Sequence, residues 1–183
     1  SVLGDVDDLI DPHGGMQDLE RGVMRALSPQ VFSDDPVRLM RAQRLASQLG
    51  FAIEEKTADA IKERAGLVTT VAPERVREEL LKILDADDAT ASLRSLDRLG
   101  LLCELIPELE EARGVEQPKE HYWDVLEHCL EAAGQVQRVL GPSAEQESHF
   151  DMVPRFDAMD AYFAETVSDG HGRKVLTVLA GLL

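Results

Sequence analysis

The chain has 183 residues, of which 44% are hydrophobic and only 4% aromatic, enough apolar material for one sizeable helical core or two small ones. Its formal net charge of −16 excludes a general nucleic-acid binder, since phosphate neutralisation needs clustered Lys and Arg. No apolar run approaches the roughly 20 residues of a membrane span, and no charged-then-apolar leader opens the chain, so a cytoplasmic protein without membrane contact is expected.

Residues 1–15 are turn-rich, with Asp11-Pro12 and Gly14-Gly15 around the apolar pair Leu9-Ile10. They suit the end of a hairpin or strand that leads into a helix over residues 16–27. A second helix is expected to open at Ser33 or Asp34, with Pro36 in its first turn, and to run to Leu49 before Gly50. Further helices are predicted over residues 55–65, ended by Gly66, over 73–84 with Pro73 first, and over 88–99, ended by Gly100. A short pair broken at Pro107 spans 101–112.

Residues 115–120 are polar and proline-broken, which marks a connector. A long amphipathic pattern covers 121–140, an exposed loop 141–154, and helices over 155–165 and 173–183 follow. No repeat at a solenoid period is present. Cys103 and Cys129 lie in apolar helical stretches without partner spacing, and are read as reduced core residues. The abrupt start and the apolar final helix suggest a chain cut at both ends. The expected fold is all-α, with about eight to ten helices and a strand or hairpin remnant at the N-terminus.

Positive charge concentrates in one place. Arg38, Arg41 and Arg44 line a helix, and Lys62, Arg64, Arg75, Arg77 and Lys82 follow nearby. On a wheel of about 100° per residue, Leu39, Ala42, Leu45, Ala46 and Leu49 form the expected core face. Arg41 and Arg44 sit on the adjoining arc, and Arg38 falls at the apolar edge, where Asp35 is its neighbour three residues back. Two readings stay open: an ordinary surface ion pair, or a carboxylate acceptor beside a guanidinium donor, held rigidly enough to match a nucleobase edge.

Three segments share order and spacing with a known family. Residues 11–19 (DPHGGMQDL) resemble the Asp-Pro-x-Gly-Gly-x-x-Asp-Leu element that closes the head domain of class II RNA nucleotidyltransferases, the bacterial CCA-adding enzymes and poly(A) polymerases. Residues 34–51 (DDPVRLMRAQRLASQLGF) are similar to the family's Glu-Asp-x-x-Arg motif and the Leu-Arg-Ala-x-Arg-Phe and Leu-Gly-Phe stretches after it. Residues 72–80 (APERVREEL) resemble the Ser-Pro-Glu-Arg-Ile-x-x-Glu-Leu neck motif. Asp34 stands where the family has Glu, Ala72 where it has Ser, and Leu45 where it has Phe.

The resemblance implies that Asp35 and Arg38 pair with the Watson–Crick edge of incoming CTP or ATP and exclude GTP and UTP. Arg41 and Arg44 would brace the pocket or approach phosphates, and Arg75 with Glu79 would hold the neck helices. The implied organisation is the end of a head domain (1–27), a helical neck (28–114) and the start of an HD-like body (115–183). Residues 121–130 (HYWDVLEHCL) resemble the opening of that body, which makes His128 a candidate metal ligand beside His121 and Asp124. With so few ligands a structural role is expected for these three.

The implied reaction is metal-assisted transfer of CMP or AMP to the 3′ end of a tRNA or other RNA. The Mg2+ ligands of the intact enzyme are expected outside this chain. Asp5 and Asp7 have the catalytic Asp-x-Asp spacing, but with no Gly-Ser before them they read as a hairpin turn, and the isolated chain is expected to be inactive. The sequence leaves CCA addition against poly(A) addition, the acceptor RNA and the oligomeric state open. The rival readings are a metal-dependent HD-type phosphohydrolase and a non-catalytic helical interaction module.

Overall fold

The computed structural model describes residues 10–116, 123–141, 153–154, 156–168 and 170–183. It is overwhelmingly helical, as the composition requires. The first helix, α1 (Gly15–Arg21), begins where both carboxylate oxygens of Asp11 accept 2.8 Å bonds from the Gly15 and Met16 amides. It ends at Gly22, whose φ of 64° is one an L side chain resists. The helix expected over 16–27 is therefore shorter, and residues beyond Gly22 form a strand instead. That strand, β1 (Val23–Met24), pairs in parallel with β2 (Ala52–Ile53).

Proline divides the next expected helix in two. Residues α2 (Gln30–Asp34) and α3 (Val37–Leu49) meet at Asp35-Pro36. A residue before proline is pushed out of the helical region, and Asp35 is extended at φ −147°, ψ 93°. Gly50 ends α3 at φ 65°, its amide bonded to Ala46 and Ser47 carbonyls, and the Phe51 amide returns to Ala46 at 2.9 Å.

The helices that follow are α4 (Glu55–Lys62), a 3-10 turn over Ala65–Thr70, α5 (Pro73–Leu84), α6 (Ala89–Arg98), α7 (Leu102–Leu105) and α8 (Glu108–Glu111). The second half holds α9 (Val125–Val139), α10 (Met159–Ala164), the antiparallel strands β3 (Thr166–Ser168) and β4 (His171–Gly172), and α11 (Arg173–Leu182). Eleven α-helices are thus present among the described residues, above the eight to ten expected. Gly66 lies inside the 3-10 turn and does not cap α4. The expected N-terminal remnant and most of the 141–154 loop fall outside the described residues.

One apolar cluster runs through the molecule, with Leu39, Ile61, Ile83, Leu93, Leu101, Leu130 and Leu182 all buried in it. The last helix, α11, packs on α9 and α5, so the two halves share a core. The core face of α3 is not the expected arc. It is Val37, Leu39, Met40, Gln43 and Ala46, while Leu49 is 53% exposed and Ala42 and Leu45 are half-buried. Gln43 is the polar member of this face. In the fold it is buried against α6, donating to Ser47 Oγ at 2.9 Å and accepting from Ser95 Oγ at 2.7 Å. That rotation also removes Arg38 from the apolar edge and leaves its side chain 46% exposed.

Candidate nucleotide-recognition site

The arginines of α3 face the polar side of α5, and the pairing between the two helices organises the site. Glu79, on the inner face of α5, is 6% exposed. Its carboxylate takes both neighbouring guanidiniums, Arg44 Nε at 2.6 Å and Arg41 Nε at 3.4 Å. Arg44 also donates to Gln48 Oε1 at 2.7 Å. A buried carboxylate is tolerable here because two cations compensate it. Arg41 and Arg44 therefore brace the two helices. Glu79, expected together with Arg75 to hold the neck helices, does so through Arg41 and Arg44. Residues three apart on α3 converge on one residue of α5.

Arg75, one turn before Glu79, reaches the α2–α3 junction. Its Nη2 lies 3.2 and 3.3 Å from the two oxygens of Asp35. The extended backbone that Pro36 imposes lifts this carboxylate off the helix end. The Asp35 carbonyl meanwhile starts α3 by accepting from the Arg38 amide at 3.0 Å. Arg38 stands beside the carboxylate, Nε 4.0 Å from Asp35 Oδ2, which is ion-pair range but longer than a hydrogen bond. Its Nη1 donates at 3.3 Å to the Val31 carbonyl of α2. Asp34 points elsewhere, accepting from Gln30 Nε2 at 3.1 Å.

The result is a half-buried acceptor and an exposed donor side by side, Asp35 at 28% and Arg38 at 46% side-chain exposure. Four guanidiniums, those of Arg38, Arg41, Arg44 and Arg75, stand against two carboxylates. This ion-pair network therefore carries a net positive charge on an acidic protein.

The His128 neighbourhood is built differently. Asp124 is the N-cap of α9: Oδ1 accepts from the Glu127 amide at 2.8 Å and Oδ2 from the Gly114 amide at 3.0 Å. These two backbone donors hold its carboxyl below the ordinary aspartate range. One lone pair on each oxygen is thus engaged in holding the helix start. His121 lies outside the described residues. Among the described residues no three His, Cys, Asp or Glu side chains gather to hold a metal ion. Cys103 and Cys129 are free thiols, and both are half-buried, less enclosed than the core positions expected.

Similarity to known proteins bears on this arrangement. Residues 50–113 match the family described as "Probable RNA and SrmB- binding site of polymerase A". Over 133 residues the chain is 41% identical to an A-adding tRNA nucleotidyltransferase of Deinococcus radiodurans, covering 70% of this chain and 31% of that protein. Over most of its length the chain is thus similar to a tRNA nucleotidyltransferase. A CC-adding tRNA nucleotidyltransferase of Halalkalibacterium halodurans is 43% identical over 95 residues, 51% of this chain and 25% of that protein.

The fold agrees with this similarity. A crystal structure of a tRNA nucleotidyltransferase complexed with a primer tRNA and an incoming ATP analog superposes with a TM-score of 0.58 at 25% identity, covering 98% of this chain and 48% of that one. The chain thus spans less than half of these proteins. Among the described residues, no helix is long and apolar enough to cross a membrane.

Proposed function

We propose that this chain is the base-selecting neck and part of the body of an enzyme that transfers CMP or AMP from CTP or ATP to an RNA 3′ end, with tRNA as acceptor. The observation that carries this reading is the Asp35–Arg38 pair. An ionised carboxylate only accepts hydrogen bonds and a guanidinium only donates them. Cytosine and adenine each present an amino donor beside a ring-nitrogen acceptor, which complements that pair. Guanine and uracil present a carbonyl acceptor beside an N–H donor, so both contacts turn repulsive or unpaired. Selection for C and A over G and U then needs no pocket that measures base size.

In this reading Arg41 and Arg44, locked on Glu79, keep α3 at a fixed distance from α5. The partial burial of that network makes the recognition pair rigid. The domain division at about residues 27 and 114, a cytoplasmic location and Mg2+ supplied by ligands beyond the described residues belong to the same proposal. Metal would neutralise the triphosphate; the residues of this chain orient the base.

The test is an NMR titration of the chain with CTP, ATP, GTP and UTP, with Arg38→Ala alongside. Amide shifts around Asp35 and Arg38 are expected with CTP and ATP, weaker with GTP and UTP, and absent in the variant. Equal responses to all four nucleotides, or none to any, overturn base selection by the isolated chain.

A further inference from the structure

We infer that Arg75 is a positioning residue that keeps the acceptor Asp35 and the donor Arg38 apart, so that both are open to a base edge. This rests on the base-reading proposal and adds a role that the pair itself does not reveal. Asp35 and Arg38 are three residues apart on one helix start, a spacing at which opposite charges normally close on each other. Closed, they would satisfy one another and present little to a ligand. Here they stand 4.0 Å apart, beyond hydrogen-bond range.

Each is tethered by a third group. The Nη2 of Arg75 sits across both Asp35 oxygens at 3.2 and 3.3 Å. The Val31 carbonyl takes Arg38 Nη1 at 3.3 Å on the other side. A carboxylate offers about four lone-pair sites, and Arg75 engages one on each oxygen, leaving acceptor capacity for an incoming amino group. Arg38 likewise has five N–H donors and spends one on Val31. Arg75 reaches the carboxylate from α5, which Glu79 fixes to α3, so the spacing of the pair is set by helix packing. Arg75 itself is 52% exposed in its side chain, and an exposed pair contributes little to stability. Its contribution is orientation.

The experiment is the dissociation constant of the 183-residue chain for CTP and for UTP, measured by NMR titration in wild type, Arg75→Ala, Arg75→Lys, Asp35→Asn and the Arg75→Ala/Asp35→Asn double variant, with thermal midpoints for each. In Arg75→Ala the preference for CTP is expected to fall at least about fivefold, the low end of the discrimination carried by a good two-bond base contact. The thermal midpoint should stay near wild type. Lysine should restore part of the preference, because a single nitrogen makes the contact. The double variant should lose no more than Asp35→Asn alone, since Arg75 acts through that carboxylate.

Additive losses in the double variant, or a lowered midpoint with unchanged preference, overturn the positioning role. No preference in wild type, or full preference retained by Asp35→Asn, overturns the base-reading proposal itself.

Discussion

Glu79 of α5 and Arg44 of α3 meet at 2.6 Å, the carboxylate accepting from the guanidinium Nε with only 8% of the acidic side chain exposed. Arg41 shares the same carboxylate at 3.4 Å. Removing one member of a buried charge network leaves the others uncompensated. Glu79→Ala should lower unfolding stability by about 3 kcal/mol, the low end for such deletions because Arg41 stays substantially exposed. Glu79→Gln, which keeps shape and one acceptor, should cost less. Urea denaturation measures both. A Glu79→Ala variant as stable as wild type would mean that α3 and α5 are held by their apolar faces alone.

Acid lability follows from a different carboxylate. Asp124 is stabilised in its ionised form by the amides of Glu127 and Gly114, so its folded pKa lies below the unfolded value of about 3.9. The native state then binds that proton more weakly than the unfolded chain does. The stabilisation is complete above the unfolded pKa and is lost as pH falls through the lowered folded value. Asp124→Asn preserves a cap but cannot titrate, and should flatten this part of the acid-unfolding curve. Asp124→Ala should cost about 1 kcal/mol at neutral pH, the usual value of an N-cap. Identical acid curves for wild type and the Asn variant would sink the assignment.

Much of this was legible in the sequence, and the exceptions have physical causes. Pro73 opening α5 and Gly50 closing α3 were readable because proline and glycine act locally. That Asp35 and Arg38 are neighbours was legible in their three-residue spacing, whereas the base-reading role came from the resemblance alone. The rotation of α3 escapes the local pattern because Gln43 is buried against α6, where Ser95 donates to it from 52 residues away and Ser92 donates to its α3 neighbour Ser47 from 45. Local pattern cannot reveal a polar group satisfied at long range. Arg75 as the partner of Asp35, 40 residues away, was hidden for the same reason.

Gly134 marks where α9 crosses the start of α6. A Cβ built there would lie 1.7 Å from Thr90 Oγ1 and 3.1 Å from Thr90 Cβ. Alanine is ordinarily the better helix former by about 1 kcal/mol. Here Gly134→Ala should destabilise by about 1–3 kcal/mol, the range for overpacking. Thr90→Ala in the same chain should recover part of that loss by removing the hydroxyl while leaving the tight Cβ contact. A stabilised Gly134→Ala variant, read by thermal unfolding, would refute the close crossing.

Gln137 closes the α5–α6 turn from the far side of the core. Its side-chain oxygen accepts from the Ala89 amide at 2.8 Å, and its Nε2 donates to the carbonyls of Ala86 at 2.5 Å and Leu84 at 3.2 Å. The residue is 7% exposed, so solvent has little access to replace those bonds. The groups it serves are the first amide of α6 and the last carbonyl of α5, which have no partner within their own helices. Gln137→Leu would keep the volume and strand all three backbone groups, each costing about 1–3 kcal/mol when buried and unpaired. The expected loss is about 3 kcal/mol, below the full sum because the turn can shift toward water. Gln137→Glu offers a sharper comparison, since it keeps the acceptor for Ala89 but turns carboxylate oxygen against two carbonyls. It should be as destabilising as leucine at neutral pH and recover as the pH falls and the carboxyl gains a proton to donate. A glutamate variant insensitive to pH would show that Ala89 alone carries the contact.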